Sequence, residues 1–129
     1  MESYFRGVIG IIDDEASVCR SLERLLESEG FEVCSFTSSA EFLDSDQLQQ
    51  TTCLIVDVRM PEQNGLEFQE RLRAAGNRVP IIFITGHLDD ATLVRALGGG
   101  AVEVLEKPLH ETDLIHAVKT AGEHRAARP

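Results

Sequence analysis

No apolar run in this sequence approaches the roughly 18 residues that a membrane-spanning helix requires. The opening MESYFRG also lacks the apolar stretch of a secretory signal, so a cytoplasmic location without membrane attachment is expected. Cysteine is scarce. Cys19, Cys34 and Cys53 form neither an even set nor a CxxC pair, which argues against a disulfide framework or a metal knuckle and leaves them as small buried hydrophobes. The histidines, His87, His110, His116 and His124, share no ligand spacing with the cysteines or with one another and fit surface or capping roles. Positive charge is short as well: Lys and Arg total 12 against 22 Asp and Glu, a net charge of -10. Such a chain matches a phosphate backbone poorly, and direct nucleic-acid binding is not expected of it. There are no internal repeats and no low-complexity tract. The 129 residues, 43% hydrophobic and 26% charged, suit one domain with one core.

What is present is a regular alternation. Val8 to Ile12 is an apolar run that stops at Asp13-Asp14-Glu15, the pattern of a strand buried on both faces. Val18, Leu22, Leu25 and Leu26 then recur at helical spacing up to Gly30, which closes the helix. Phe31 to Phe36 reads as a second strand, and Ser38-Ser39 caps a short helix carrying Phe42, Leu43 and Leu48. Cys53 to Val56 is a third strand ending at an acid, Asp57; a loop through Asn64-Gly65 leads to a helix over Leu66–Ala75, stopped by Gly76-Asn77. Pro80 to Ile84 is the fourth strand, followed by Thr85-Gly86-His87. The next helix carries Ala91, Val94 and Leu97 on one side and runs into Gly98-Gly99-Gly100. The fifth strand, Val102 to Leu105, ends at Glu106-Lys107-Pro108, and Leu114, Ile115, Val118 and Ala121 mark the last helix.

Five strands alternating with five helices predict an α/β fold: a parallel sheet with helices on both faces, placed there by right-handed crossovers. In such sheets ligands bind beyond the carboxyl ends of the strands. Asp13, Asp14, Asp57, Thr85 and Lys107 all fall at those ends. Carboxylates gathered so closely repel one another and require a cation, and an oxygen-only site suits Mg²⁺, which completes its shell with water and phosphate oxygens. Lys107 adds a second positive charge, and the Thr85 hydroxyl can donate to a bound oxygen. Together they suit phosphoryl chemistry. Each has a plainer reading when taken alone: Asp13 and Asp14 as a turn and N-cap, Thr85 as a strand residue, Lys107 as a solvated side chain. Asp57 is harder to explain in that way, because an acid directly after four apolar residues is costly to desolvate without a partner.

Ile11-Ile12-Asp13-Asp14-Glu15, Val56-Asp57-Val58-Arg59-Met60-Pro61, Asn64-Gly65, Ile84-Thr85-Gly86-His87 and Glu106-Lys107-Pro108 occur in an order and spacing that span almost the whole chain. In these motifs the sequence resembles the receiver domains of two-component response regulators, and within them the FixJ-like group. The resemblance implies a flavodoxin-like (βα)5 fold with strand order 2-1-3-4-5, a receiver domain over residues 1–122, and the start of a linker or tail over 123–129. It implies that Asp57 accepts a phosphoryl group from the phosphohistidine of a sensor histidine kinase. Asp14 would bind Mg²⁺ directly, Asp13 through water, and Asp57 and the backbone carbonyl of Arg59 would complete the protein's share. Thr85 would engage a phosphoryl oxygen, Lys107 would pair with Asp57 and then with phosphate, and the Lys107–Pro108 peptide would be cis. On this reading the chain is a switch that catalyses its own phosphorylation and dephosphorylation rather than a conventional enzyme. It would report through its last two helices and last strand, by a homodimer or to a fused, DNA-binding output domain.

Departures from the family's pattern carry expectations of their own. Val104 stands three positions before Lys107, where most receivers have Tyr or Phe whose rotation reports the phosphorylated state; a β-branched side chain makes no such swing. Arg59 and His87, two positions after Asp57 and Thr85, would flank the path of a hydrolytic water. Neither is a carboxylate or amide that readily accepts a hydrogen bond from that water, so self-dephosphorylation is expected to be slow. The Gly98–Gly100 run is read as a segment that neither packs nor favours helix. Other functions fit less well. An Asp-nucleophile phosphohydrolase needs an acid where Arg59 stands, and a flavin module needs a Ser/Thr/Gly phosphate loop after the first strand.

Overall fold

The computed structural model describes residues 7–61 and 63–126. Ten elements alternate strictly: β1 (Val8–Ile12), α1 (Ala16–Ser28), β2 (Glu32–Phe36), α2 (Ser39–Asp44), β3 (Thr51–Asp57), α3 (Gly65–Ala74), β4 (Ile81–Thr85), α4 (Asp90–Gly98), β5 (Glu103–Glu106) and α5 (Glu111–Ala126). All strands are parallel, in the order β2-β1-β3-β4-β5. Side chains alternate across this sheet and feed two cores. Ile12, Leu54, Val56 and Phe83 point toward Phe42 of α2, Phe68 and Leu72 of α3 and Ala96 of α4. Ile9, Ile11, Cys53, Ile55, Ile82 and Ile84 point the other way, onto α1 and α5. Near-continuous apolar strands are what burial on both faces demands.

The order places β1 between β2 and β3, so Cys34 and Cys53 lie on strands separated by a third, roughly 9–10 Å apart at sheet spacing. That is beyond disulfide reach, and all three cysteines are free. Cys19 and Cys53 are buried and Cys34 half-buried; burial pushes the Cys53 thiol up to about 12.

Several boundaries differ from those read off the apolar runs. β3 starts at Thr51, two residues before Cys53, where the Thr51 hydroxyl donates to the carbonyl of Gln47. Leu48 lies beyond the end of α2 yet packs against the core from the following turn. α5 continues through Ala126, five residues beyond Ala121, the last apolar position read for it; residues 127–129 and the side chain of His124 lie outside the described residues. The side of α4 that carries Ala91, Val94 and Leu97 faces outward, with Val94 71% and Leu97 45% exposed, and the helix packs instead through Leu93 and Ala96. Among the described residues, no helix is long and apolar enough to cross a membrane.

The triple glycine is better organised than the sequence suggests: Gly98 is helical and Gly99 packed, which corrects the expectation at those two positions, while Gly100 is neither. Gly98 closes α4 in helical conformation with open space around it. Gly99 abuts the buried Gln69 so closely that a Cβ would lie 2.5 Å from its side-chain oxygen. Gly100 has φ +97° and sits in a Schellman turn, with Gly100 N–H donating to Leu97 and Ala101 N–H to Ala96. Two side chains of α3 clasp this end of α4: Gln69 Nε2 donates to the Ala96 carbonyl at 3.3 Å, and Arg73 Nε to that of Gly99 at 3.2 Å. Accordingly, urea denaturation should show Gly98→Ala stabilising by up to about 1 kcal/mol and Gly100→Ala destabilising by about 1–2 kcal/mol.

Candidate functional site

Hydrogen bonds just past the strand ends place the predicted side chains. Asp13 N–H donates to the Phe36 carbonyl and Val58 N–H to that of Ile84, so the sheet ladder runs on beyond β1 and β3. Lys107 N–H likewise donates to the Thr85 carbonyl, which seats the lysine beside the end of β4. β1 is flanked by β2 on one side and β3 on the other, so the strand order reverses between Asp13 and Asp57.

There Asp13, Asp14 and Asp57 each present an oxygen within 4.8 Å of the others. Asp13 is fully buried, Asp57 is 5% exposed and Asp14 faces solvent. Across from them, Lys107 Nζ donates to Asp13 Oδ2 at 3.2 Å, to Asp57 Oδ2 at 3.4 Å and to Glu15 Oε1 at 3.5 Å. Asp57 Oδ1 accepts from the Arg59 N–H at 3.1 Å, and Asp13 Oδ1 from the Glu15 N–H at 2.9 Å. Burial, then the neighbouring Asp13, holds the Asp57 carboxyl above the ordinary carboxylate range, against the pull of the Arg59 N–H and Lys107. Burial alone would lower the Lys107 ammonium, but Asp13 and Asp57 outweigh it and hold the ammonium above its usual value. One ammonium therefore serves several carboxylates. Two of these, Asp13 and Asp57, join Asp14 in a compact oxygen-only donor set of the kind a hard divalent cation takes.

The other predicted residues stand around this centre. Thr85 is fully buried at the same edge, but its hydroxyl is turned to the following loop, donating to the His87 carbonyl at 3.1 Å and receiving the His87 N–H at 3.2 Å. Arg59 and His87 are exposed; the carboxyl of nearby Asp89 is lowered chiefly by its cap of the Thr92 N–H. Val104 is buried in the core, opposite Phe83. The Lys107–Pro108 peptide is cis. His110 and His116 are exposed.

Sequence reasoning missed two contributors. Glu15 was read only as part of an acidic turn, and its contact with Lys107 spans 92 residues. Gly65 was noted without a reason: a Cβ there would lie 2.5 Å from the Asp57 carbonyl oxygen, while Gly65 N–H donates to the Val58 carbonyl. The bare backbone of Gly65 lets the start of α3 press against the strand that carries Asp57. Asn64 fixes that start as the N-cap of a capping box with Glu67.

Fold and site define a doubly wound α/β domain with an acidic pocket and one lysine at its topological switch point. The response regulator receiver domain family matches residues 9–119. Nodulation protein W of Bradyrhizobium diazoefficiens is 41% identical over 127 residues, covering 98% of this chain and 56% of that protein. The transcriptional regulatory protein FixJ of Azorhizobium caulinodans is 41% identical over 113 residues, 88% of this chain and 54% of its own. The FixJ-N crystal structure superposes with a TM-score of 0.85 at 36% identity, covering 93% of this chain and 96% of that one. The chain belongs to the response regulator receiver family and is FixJ-like. It spans about half the length of the curated relatives it matches.

The charge balance has a measurable consequence. Asp57 binds its proton more tightly folded than unfolded, so stability is lost as pH rises from the ordinary carboxylate range through its raised value. In buffer free of divalent cations near neutral pH, Asp57→Asn should raise the urea midpoint. Lys107→Ala leaves buried Asp13 and Asp57 without their cation and should cost about 1–3 kcal/mol in the same measurement.

Proposed function

We propose that this chain is the phosphoacceptor unit of a cytoplasmic two-component response regulator, and that Asp57 receives the phosphoryl group of a sensor kinase's phosphohistidine. The observation that carries this reading is the Asp13-Asp14-Asp57 oxygen cluster with Lys107 bonded to Asp57. In the transfer, the phosphorus–nitrogen bond of the donor breaks as an Asp57 Oδ–phosphorus bond forms; the electron pair stays on the imidazole, which takes up a proton. Receiver domains typically use Mg²⁺. Here Asp14 would hold it directly, Asp13 through water, and Asp57 and the Arg59 carbonyl would add oxygen ligands. When bound it supplies positive charge against the phosphoryl oxygens. Lys107, paired with Asp57 before the transfer, would pair with a phosphoryl oxygen after it. Thr85 would reach the same group once its hydroxyl leaves the His87 backbone. Buried Val104 has no ring to carry that movement further.

The receiver would comprise residues 1–122, with 123–129 leading to a linker. The outward Val94 and Leu97 support the last two helices and last strand as the reporting surface, through a homodimer or a transcriptional output domain. The acidic balance keeps this chain itself off DNA.

Incubation with acetyl phosphate and Mg²⁺ should add one phosphoryl group by intact-protein mass spectrometry, and Asp57→Asn or EDTA should abolish it; labelling that survives both refutes the assignment. Mg²⁺ at a hundred times its dissociation constant should stabilise the wild type by about 2.7 kcal/mol, an increment Asp14→Asn loses. The decay of phosphorylated protein addresses Arg59 and His87. Arg59→Asn with His87→Glu supplies groups that hold a water and should shorten the lifetime at least roughly tenfold.

A further inference from the structure

We infer that Glu15 is a positioning residue for the phosphorylation step, a placeholder that occupies one N–H of Lys107 until a phosphoryl oxygen takes it. This rests on the phosphoacceptor reading above and goes beyond it by assigning a residue outside the cation-binding acids. An ammonium has three N–H donors, and here each faces a different carboxylate: Asp13, Asp57 and Glu15. To take hold of a phosphoryl oxygen, Lys107 must release one. Asp13 is fully buried and Asp57 nearly so, and both belong to the compact oxygen set. The Glu15 side chain is 61% exposed, stands outside that set and is rehydrated on release, so its bond is given up at least cost.

The local structure of α1 supplies a second, independent observation. Glu15 occupies the N-cap of α1, a position that favours Ser, Thr, Asp or Asn, and its side chain makes no capping hydrogen bond. The first turn of α1 also has no acid to complement the helix dipole. The Glu15 backbone carbonyl starts the helix, accepting from the N–H groups of Val18 and Cys19, but its side chain makes no hydrogen bond to it. Its carboxylate turns instead across the strand ends to Lys107, while its own N–H is held by Asp13 Oδ1, which fixes the backbone from which the side chain reaches. The extra methylene of Glu over Asp provides that reach.

The rate of phosphorylation by acetyl phosphate with Mg²⁺, followed on a phosphate-affinity gel, tests this with wild type, Glu15→Ala and Glu15→Asp. Glu15→Ala should be faster by about two- to fivefold, the worth of an exposed ion pair. Glu15→Asp keeps the charge and improves the cap but is too short to reach Lys107, so it should be accelerated equally. An aspartate variant with the wild-type rate assigns the effect to overall charge or to capping and overturns the placeholder role. Unchanged or slower Glu15→Ala overturns it as well. A wild type that takes up no phosphoryl group refutes the phosphoacceptor reading and the placeholder with it. A wild type that is labelled while both variants match it refutes the placeholder alone. Thermal unfolding of each variant accompanies the rates, and Glu15→Asp should melt no lower than wild type.

Discussion

The arrangement at the carboxyl end of the sheet depends on one ammonium group. Asp13 and Asp57 are carboxylates withdrawn from water, and their closeness would be strongly unfavourable without Lys107 between them. Everything nearby serves that contact. The continuation of the β4–β5 ladder through Lys107 and Thr85 brings the lysine to the edge, and the Arg59 and Glu15 N–H groups absorb the carboxylate oxygens that the lysine does not face. An excess of acid over base at this point leaves the pocket receptive to added positive charge, which is the electrostatic condition for taking up a divalent cation.

The fold was legible where burial is two-sided. Runs such as Val8–Ile12 and residues 81–84 are apolar throughout, because helices cover both faces of the sheet, and an acid or hydroxyl directly after such a run marks the strand's exit. α4 was less legible. Its Ala and Leu residues occur on both sides, so periodicity draws attention to Ala91, Val94 and Leu97, whereas contact with the sheet selects Leu93 and Ala96. A helix with an apolar outer face carries two competing stripes, and the sequence does not say which one is covered.

The site was legible for a different reason: reactive residue types recur at strand ends, and a parallel topology gathers those ends. Orientation was not. Nothing in Ile84-Thr85-Gly86-His87 shows that the threonine hydroxyl closes a turn onto the His87 backbone rather than facing the acids. Nor does Asn64-Gly65 reveal that a methyl group at Gly65 would strike the Asp57 carbonyl, since the obstruction comes from another element. Glu15 was hidden among acids of the same motif, its distinguishing partner far along the chain.

The clasp of Gln69 and Arg73 on the last turn of α4 acts as a fulcrum. It pins the helix at Ala96 and Gly99 by polar bonds, while towards its start Leu88 and Leu93 rest on the core and residues 86–89 lead back to Thr85. A helix held by polar bonds at one end and by apolar packing, which tolerates sliding, at the other would convert a small displacement of the latter into a rotation of its outer stripe. Movement of the Thr85 hydroxyl off the His87 backbone would thus be geared into a swing of Val94 and Leu97, greater toward the start of the helix than at its close. A lever of this kind would couple the Thr85 loop to that stripe without an aromatic ring in the gap.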